Sequence, residues 1–162
     1  MNHDCICLIL ETNRLFLKPT VLEDVDLLLK IDGQEEAQKY LGGIKNKSRE
    51  ERITFLQKKL DKPDSYSFTV SLKDGTKIGF VGFKLMEHTA EISYILDADY
   101  YNQGYCTEAC REMMKYASLH YPIDMFTANT VIDHTSSGRV LAKLGFVEEH
   151  RDSQFVYYNK KD

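Results

Sequence analysis

The chain has 162 residues, of which 43% are apolar, with ten Tyr and eight Phe, and this suits a single domain over residues 1–162 with a structured part of about 10–160. A formal charge of −4 without any Lys/Arg-rich block argues against a nucleic-acid binder and tolerates a cationic partner such as an amine. The early apolar run Ile6 to Leu10 falls far short of a membrane span and follows no basic stretch, so a cytoplasmic protein without membrane attachment is expected.

Arg14 to Lys18 alternates and predicts a first strand that Pro19 stops. Thr20-x-x-Glu23 and Ser48-x-x-Glu51 are capping-box patterns. The first predicts a helix with Val25, Leu28 and Leu29 inward, ending before Gly42-Gly43. The second predicts a helix with an Ile53, Leu56, Leu60 stripe and Pro63 beyond its end. The run Tyr66, Phe68, Val70, Leu72 alternates, and Asp74-Gly75 then signals a hairpin turn into Lys77 to Leu85. A polar turn at Glu87-His88-Thr89 leads to Ala90 to Leu96, completing an antiparallel meander. Thr107 to Tyr121 predicts an amphipathic helix with Ala109, Cys110, Met113, Met114 and Ala117 on one face. Met125 to Ile132 reads as a strand that can lie parallel to the previous one, because a helix separates them. Ser136 to Leu144 reads as a short helix that Gly145 caps. Phe146-Val147 and Gln154 to Asn159 close the chain as strands. The predicted order is β-α-α-β-β-β-α-β-α-β-β, a mixed α/β (α+β) domain on a central sheet.

Asn102-Gln103-Gly104-Tyr105-Cys106-Thr107-Glu108-Ala109 joins a predicted strand to a predicted helix. A small-residue turn there aims unpaired N–H groups at one point, and the helix dipole adds positive potential. Such a turn is an anion site suited to a phosphorylated cofactor. Neither Gly-x-x-x-x-Gly-Lys-Ser/Thr nor Gly-x-Gly-x-x-Gly occurs, which excludes the usual nucleotide-binding loops. The cysteines, Cys5, Cys7, Cys106 and Cys110, lack the converging spacing of a metal site, so free thiols and no metal are expected. Cys106 near a helix N-terminus is either a reactive thiol or a small residue filling a small slot.

Several motifs in this order resemble GNAT-superfamily N-acetyltransferases, above all the RimJ/RimL type that acetylates ribosomal-protein N-termini. They are Leu10-Glu11-Thr12-x-Arg14-Leu15-x-Leu17-Lys18-Pro19, Ala90-Glu91-Ile92-x-Tyr94-x-Leu96, Gly104 to Ala109, and Ser137-x-Arg139-Val140-Leu141-x-Lys143-Leu144-Gly145-Phe146. The resemblance implies the GNAT fold: a twisted, mostly antiparallel sheet flanked by helices, with one parallel strand pair that splays apart at a bulge. It implies acetyl-CoA as co-substrate and acetyl transfer to a primary amine, which is a protein N-terminus, an amino acid or a small amine, by direct attack in a ternary complex. The alternative is a non-catalytic acyl-CoA-binding or regulatory module. A small-molecule or peptide amine is the expected partner, and the resemblance leaves a homodimer open.

By the same resemblance, Ile95, Leu96 and Asp97 give main-chain contacts to the pantetheine arm. Gln103, Gly104, Tyr105, Cys106 and Thr107 give N–H groups to the pyrophosphate. His134 stands where the subgroup has an Asn that bonds the arm, and Tyr101 where Arg or Gln is usual. The proton donor to the departing thiolate is Ser137, which as an ordinary first-turn residue is equally a helix cap. Leu141 occupies the position where many members carry a Tyr acid. For the general base the choice is Glu91, on the central strand just ahead of the cofactor edge. The alternatives are a cross-strand pair of Glu91 with Lys77 or Lys84, or a base from Glu148, Glu149, His150 or Asp152. The acceptor is expected between the first two helices and the closing hairpin, with Tyr40, Phe155, Tyr157 and Tyr158 as candidate walls.

Overall fold

The computed structural model describes residues 8–162, so Cys5, Cys7 and Ile6 lie outside the described residues. A two-residue strand, β1 (Leu10–Glu11), precedes β2 (Leu15–Pro19). A single 3-10 turn (Leu22–Asp24) leads into α1 (Val25–Asp32), and α2 (Glu35–Gln38) and α3 (Arg49–Leu60) follow. The meander is β3 (Ser65–Leu72), β4 (Lys77–Met86) and β5 (Thr89–Leu96). Next come α4 (Tyr105–His120), β6 (Met125–Val131), α5 (Thr135–Lys143), β7 (Val147–Arg151) and β8 (Phe155–Lys161). The strands form one eight-stranded sheet in the order β1-β2-β3-β4-β5-β6-β8-β7.

Helices cover both faces of the sheet, which is why β3 is buried at six consecutive positions, Tyr66 to Ser71, rather than alternating. On one face, Ala109, Cys110, Met113 and Ala117 of α4 and Leu141 of α5 pack against Leu15, Phe68, Ala90 and Ile92. On the other, Leu27, Leu28 and Ile31 of α1 meet Phe80, while Val25 packs with Leu56 and Leu60 of α3.

The Ser48 capping box forms as expected: Ser48 Oγ accepts from the Glu51 N–H at 3.1 Å, and Glu51 Oε1 accepts from the Ser48 N–H at 3.2 Å. The expected Thr20/Glu23 box does not form. The Thr20 hydroxyl is buried against Ser67 Oγ, 2.9 Å away, and it is Asp24 whose carboxylate reaches back to the Val21 N–H at 3.0 Å. The first expected helix is broken at Gly33, separating α1 from α2.

β5 and β6 run parallel and pair at Thr89↔Met125, Ala90↔Phe126 and Glu91↔Thr127. Past Glu91 they separate, while each keeps its other neighbour: β5 stays on β4 through Leu96, and β6 stays on β8 through Val131. The split needs no bulge, contrary to the expectation. The β4–β5 register is unbroken from Met86↔Thr89 to Gly79↔Leu96, and the register shifts fall at Val70/Ser71 and Glu148/His150.

Candidate active site

The turn after β5 contains two residues in the left-handed region, Asn102 at φ +62° and Gly104 at φ +82°. They swing the chain into α4, which starts at Tyr105, two residues earlier than its polar-to-apolar pattern suggested. The first bond of the helical ladder runs from the Glu108 N–H to the Gly104 carbonyl at 3.0 Å. The N–H groups of Gln103, Gly104, Tyr105, Cys106 and Thr107 make no hydrogen bond among the described residues. Five successive main-chain donors without acceptors, at the positive end of a 16-residue helix, form an electropositive cradle.

Arg14, from the turn before β2, braces this cradle. Its Nη1 donates to the Gln103 carbonyl at 2.9 Å and its Nε to Glu108 Oε1 at 2.7 Å, and its guanidinium lies 4.3 Å from the Tyr105 ring centroid. Burial pushes the Glu108 carboxyl up, but bonds from the Thr12 hydroxyl and from the Arg14 side chain and N–H outweigh it, so its pKa lies below the usual carboxylate range. Arg14, a residue distant in sequence, thus ties the turn to the first turn of α4, with its charge balanced by Glu108.

Past Glu91, β5 has an open edge toward β6. The Asp97 N–H donates to the Ile78 carbonyl at 2.7 Å, and in an antiparallel ladder this fixes the main-chain directions of the residues before it. Ile95 and Asp97 turn their main-chain groups to β4, whereas Tyr94 and Leu96 turn theirs to the open edge. This corrects the expectation that Ile95, Leu96 and Asp97 all present main-chain contacts there: Leu96 does, and Tyr94 joins it. Asp97 has a different task. Its fully buried carboxylate accepts from Gln34 Nε2 (2.8 Å) and the Asp99 N–H (3.0 Å), and lies 2.7 Å from Lys30 Nζ, tying the end of β5 to α1.

Across the split, the Tyr94 hydroxyl lies 2.6 Å from Ser137 Oγ and donates toward the Ser137 carbonyl at 3.2 Å. Burial drives the phenol pKa far up, so it stays protonated. Ser137 is 6% exposed and makes no capping bond; its hydroxyl is committed to Tyr94. His134 stacks on Tyr40 with ring centroids 4.5 Å apart, and burial lowers its pKa, favouring the neutral ring. Glu91 lies at the last paired position before the split. It faces Lys84 across the ladder, but neither joins an ion pair among the described residues, and Lys77 instead pairs with Asp24 at 2.6 Å. Strand alternation puts Glu91 on the face of β5 that carries Ser93 and Ile95.

On that face a cleft of about 410 Å³ opens between the sheet and α1, α3 and the segment after α2. Its floor includes Gly82, Ser93, Tyr94 and Ile95, so it abuts the open edge of β5. None of Tyr40, Phe155, Tyr157 and Tyr158 lines it; its wall opposite the sheet includes Arg52, Phe55, Leu56 and Lys59 of α3. The rival bases of that hairpin are occupied within it. Glu148 pairs with Arg151, Glu149 accepts from Asn159, Asp152 accepts from the Gln154 and Phe155 N–H groups, and His150 stacks on Tyr157. Cys110 is buried, and its bond to Cys106 together with burial pushes its thiol pKa up. Arg139 is exposed and Leu141 is in the core. No group of His, Cys, Asp and Glu among the described residues is arranged to hold a metal ion, and no helix among them is long and apolar enough to cross a membrane.

A helix-end cradle beside a strand edge that loses its parallel partner defines a class of acyl-transferring enzymes. Residues 14–147 match the acetyltransferase (GNAT) domain family, and the chain belongs to that family. It is accordingly an enzyme of the acetyl-CoA-dependent class that acetylates amines. YjdG of Bacillus subtilis (strain 168), described as an uncharacterized N-acetyltransferase, is 27% identical over 161 residues, covering 93% of this chain and 96% of the relative. The structure of RimL, the ribosomal L7/L12 α-N-protein acetyltransferase, in complex with coenzyme A has TM-score 0.78 at 16% identity, covering 95% of this chain and 98% of that one. The spermidine N-acetyltransferase of Vibrio cholerae, in complex with CoA and spermine, has TM-score 0.81 at 14% identity, covering 93% of this chain and 96% of that one. The likeness therefore extends as far to a polyamine enzyme as to a ribosomal-protein enzyme and does not single out the RimJ/RimL subgroup.

Proposed function

We propose that this protein transfers the acetyl group of acetyl-CoA to a primary amine by direct attack in a ternary complex. The carrying observation is the run of five main-chain donors without acceptors, Gln103 to Thr107, set beside the open edge of β5. A diphosphate fits those donors, and an amide-bearing arm fits the Tyr94 and Leu96 edge as an added strand would. When bound, acetyl-CoA supplies an activated acyl thioester.

The chain's own residues then do four things. Gln103 to Thr107 hold the diphosphate, with Arg14, paired to Glu108, fixing the turn through the Gln103 carbonyl. Tyr94 and Leu96 align the arm along β5. Glu91, on the cleft face of the strand, accepts the proton of the amine, directly or through water. Ser137 gives its hydroxyl proton to the departing thiolate, and the Tyr94 phenol, 2.6 Å behind it, holds that hydroxyl in place. The amine nitrogen forms a bond to the acyl carbon as the carbon–sulfur bond breaks. His134, neutral and stacked on Tyr40, flanks the open edge from the β6 side. A RimJ/RimL-type acceptor, a protein N-terminus, is one option beside amino acids and small amines; the opening Leu10 to Pro19 motif and Ser137 support it.

The test is to mix the purified protein with acetyl-CoA and peptides, amino acids or small amines in turn, and to titrate free thiol. Thiol release with at least one class is expected. Release no faster than background with every class would overturn the reading.

A further inference from the structure

The cleft beneath β5 has a charge that runs against the rest of the chain. Among its lining residues are three cations, Lys45, Arg52 and Lys59, and one carboxylate, Asp32, in a protein whose net charge is −4. Arg52 and Asp32 neutralise each other: Nε lies 2.8 Å from Oδ2, Nη2 donates to Oδ1 at 3.1 Å, and both side chains are nearly buried. Lys45 has no such partner. Its Nζ donates to two neutral oxygens, Gln38 Oε1 at 2.6 Å and the Leu41 carbonyl at 2.9 Å. The Lys59 ammonium makes no ion pair or hydrogen bond among the described residues. Burial, and then the neighbouring charge of Arg52, lowers its pKa.

α3 presents Arg52, Leu56 and Lys59 at helical spacing, so they share the face that looks onto the sheet. A half-buried ammonium beside a second cation is an arrangement that an arriving anion stabilises. The buried apolar walls, Leu28, Leu56 and Phe80, strengthen that attraction by lowering the local dielectric.

We infer that the acceptor amine of this enzyme carries an oxyanion, a carboxylate or a phosphate, which Lys59 and Lys45 bind while the amino group points at the open edge of β5. This rests on the acetyltransferase reading and narrows its substrate class: polyamines are disfavoured by the same cations. A cleft of about 410 Å³ suits a small amino acid or an aminoalkyl phosphate.

The experiment compares thiol release from acetyl-CoA with 4-aminobutanoate, O-phosphoethanolamine, butylamine and spermidine, in the native protein and in Lys59→Gln and Lys59→Glu. Coenzyme A affinity is measured in parallel by calorimetry. The two anionic amines are expected to show kcat/KM about tenfold or more above butylamine and spermidine. Which of them is faster tells carboxylate from phosphate. Lys59→Gln should raise KM for the anionic amines about tenfold and leave butylamine unchanged, and Lys59→Glu should favour spermidine. Equal or better turnover of spermidine in the native protein, or no effect of Lys59→Gln, overturns the inference while the acetyltransferase reading stands. If no amine reacts, that reading fails. The anion site is then judged by titrating 4-aminobutanoate into labelled protein: shifts of the Ser93 and Ile95 amides that vanish in Lys59→Glu support it, and unmoved amides overturn it.

Discussion

Gly104 holds φ at +82°, and a Cβ at this position would stand 3.3 Å from Arg14 Nη2. Gly104→Ala therefore meets two penalties, a left-handed backbone of about 1–2 kcal/mol and displacement of the guanidinium that braces the cradle. A lower melting temperature and a roughly tenfold weaker coenzyme A affinity are expected, read by calorimetry. Ser137→Ala and Tyr94→Phe should each lower kcat about 100-fold with coenzyme A affinity unchanged, and the double variant should be little worse than either, because the hydroxyls act as one unit. Additive losses would separate them. Glu91→Gln should cost about 100-fold or more in kcat while leaving coenzyme A affinity intact; full activity would move the base elsewhere. The placement of Glu91 on the central strand, of Ser137 on the late helix and of the Gln103–Thr107 run at a helix start is legible in the sequence because each sits in a contiguous motif. Arg14 and Tyr94 stand in the same motifs, but their roles come from partners far along the chain, Gln103 and Glu108 for Arg14 and Ser137 for Tyr94. Spacing within a motif does not report such pairs.

The end of β5 is fixed to α1 by Asp97, and that link responds to acid. Burial alone would raise the Asp97 pKa, but bonds from Lys30, Gln34 and the Asp99 N–H lower it below the ordinary carboxylate value. A carboxyl with a lower pKa when folded gives stability that is complete above the unfolded value, about 4, and is lost as pH falls through the folded value. Melting temperature should therefore drop as pH falls below about 4, and Asp97→Asn should flatten that limb. An unchanged acid limb in the variant would remove Asp97 from the account. Local chemistry made some elements legible: the Ser48–Glu51 box starts α3, and Asp74-Gly75 turns β3 into β4, with Gly75 at φ +94°. It misplaced the start of α1, because Thr20 bonds across to Ser67 rather than along its own chain. β1 has two residues, too few for any periodicity to register.

At the scale of the molecule, β5 and β6 pair over three residue pairs only, and beyond them β5 remains on β4 and β6 on β8, which leaves an open edge inside the sheet. The meander and the parallel crossover were legible, since hairpin turns and an intervening helix dictate them. The cleft beside β5 was not, because its walls come from α1, α3 and three strands, which are far apart in the sequence. The amide cradle and the open strand edge together make one claim, that coenzyme A lies across both. Its most direct measurement is a titration of coenzyme A into labelled protein, followed residue by residue at the main-chain amides. Large shifts and slowed hydrogen exchange are expected at Gln103 to Thr107, with smaller changes at Tyr94 and Leu96. Saturating coenzyme A that leaves those amides unmoved would contradict that claim.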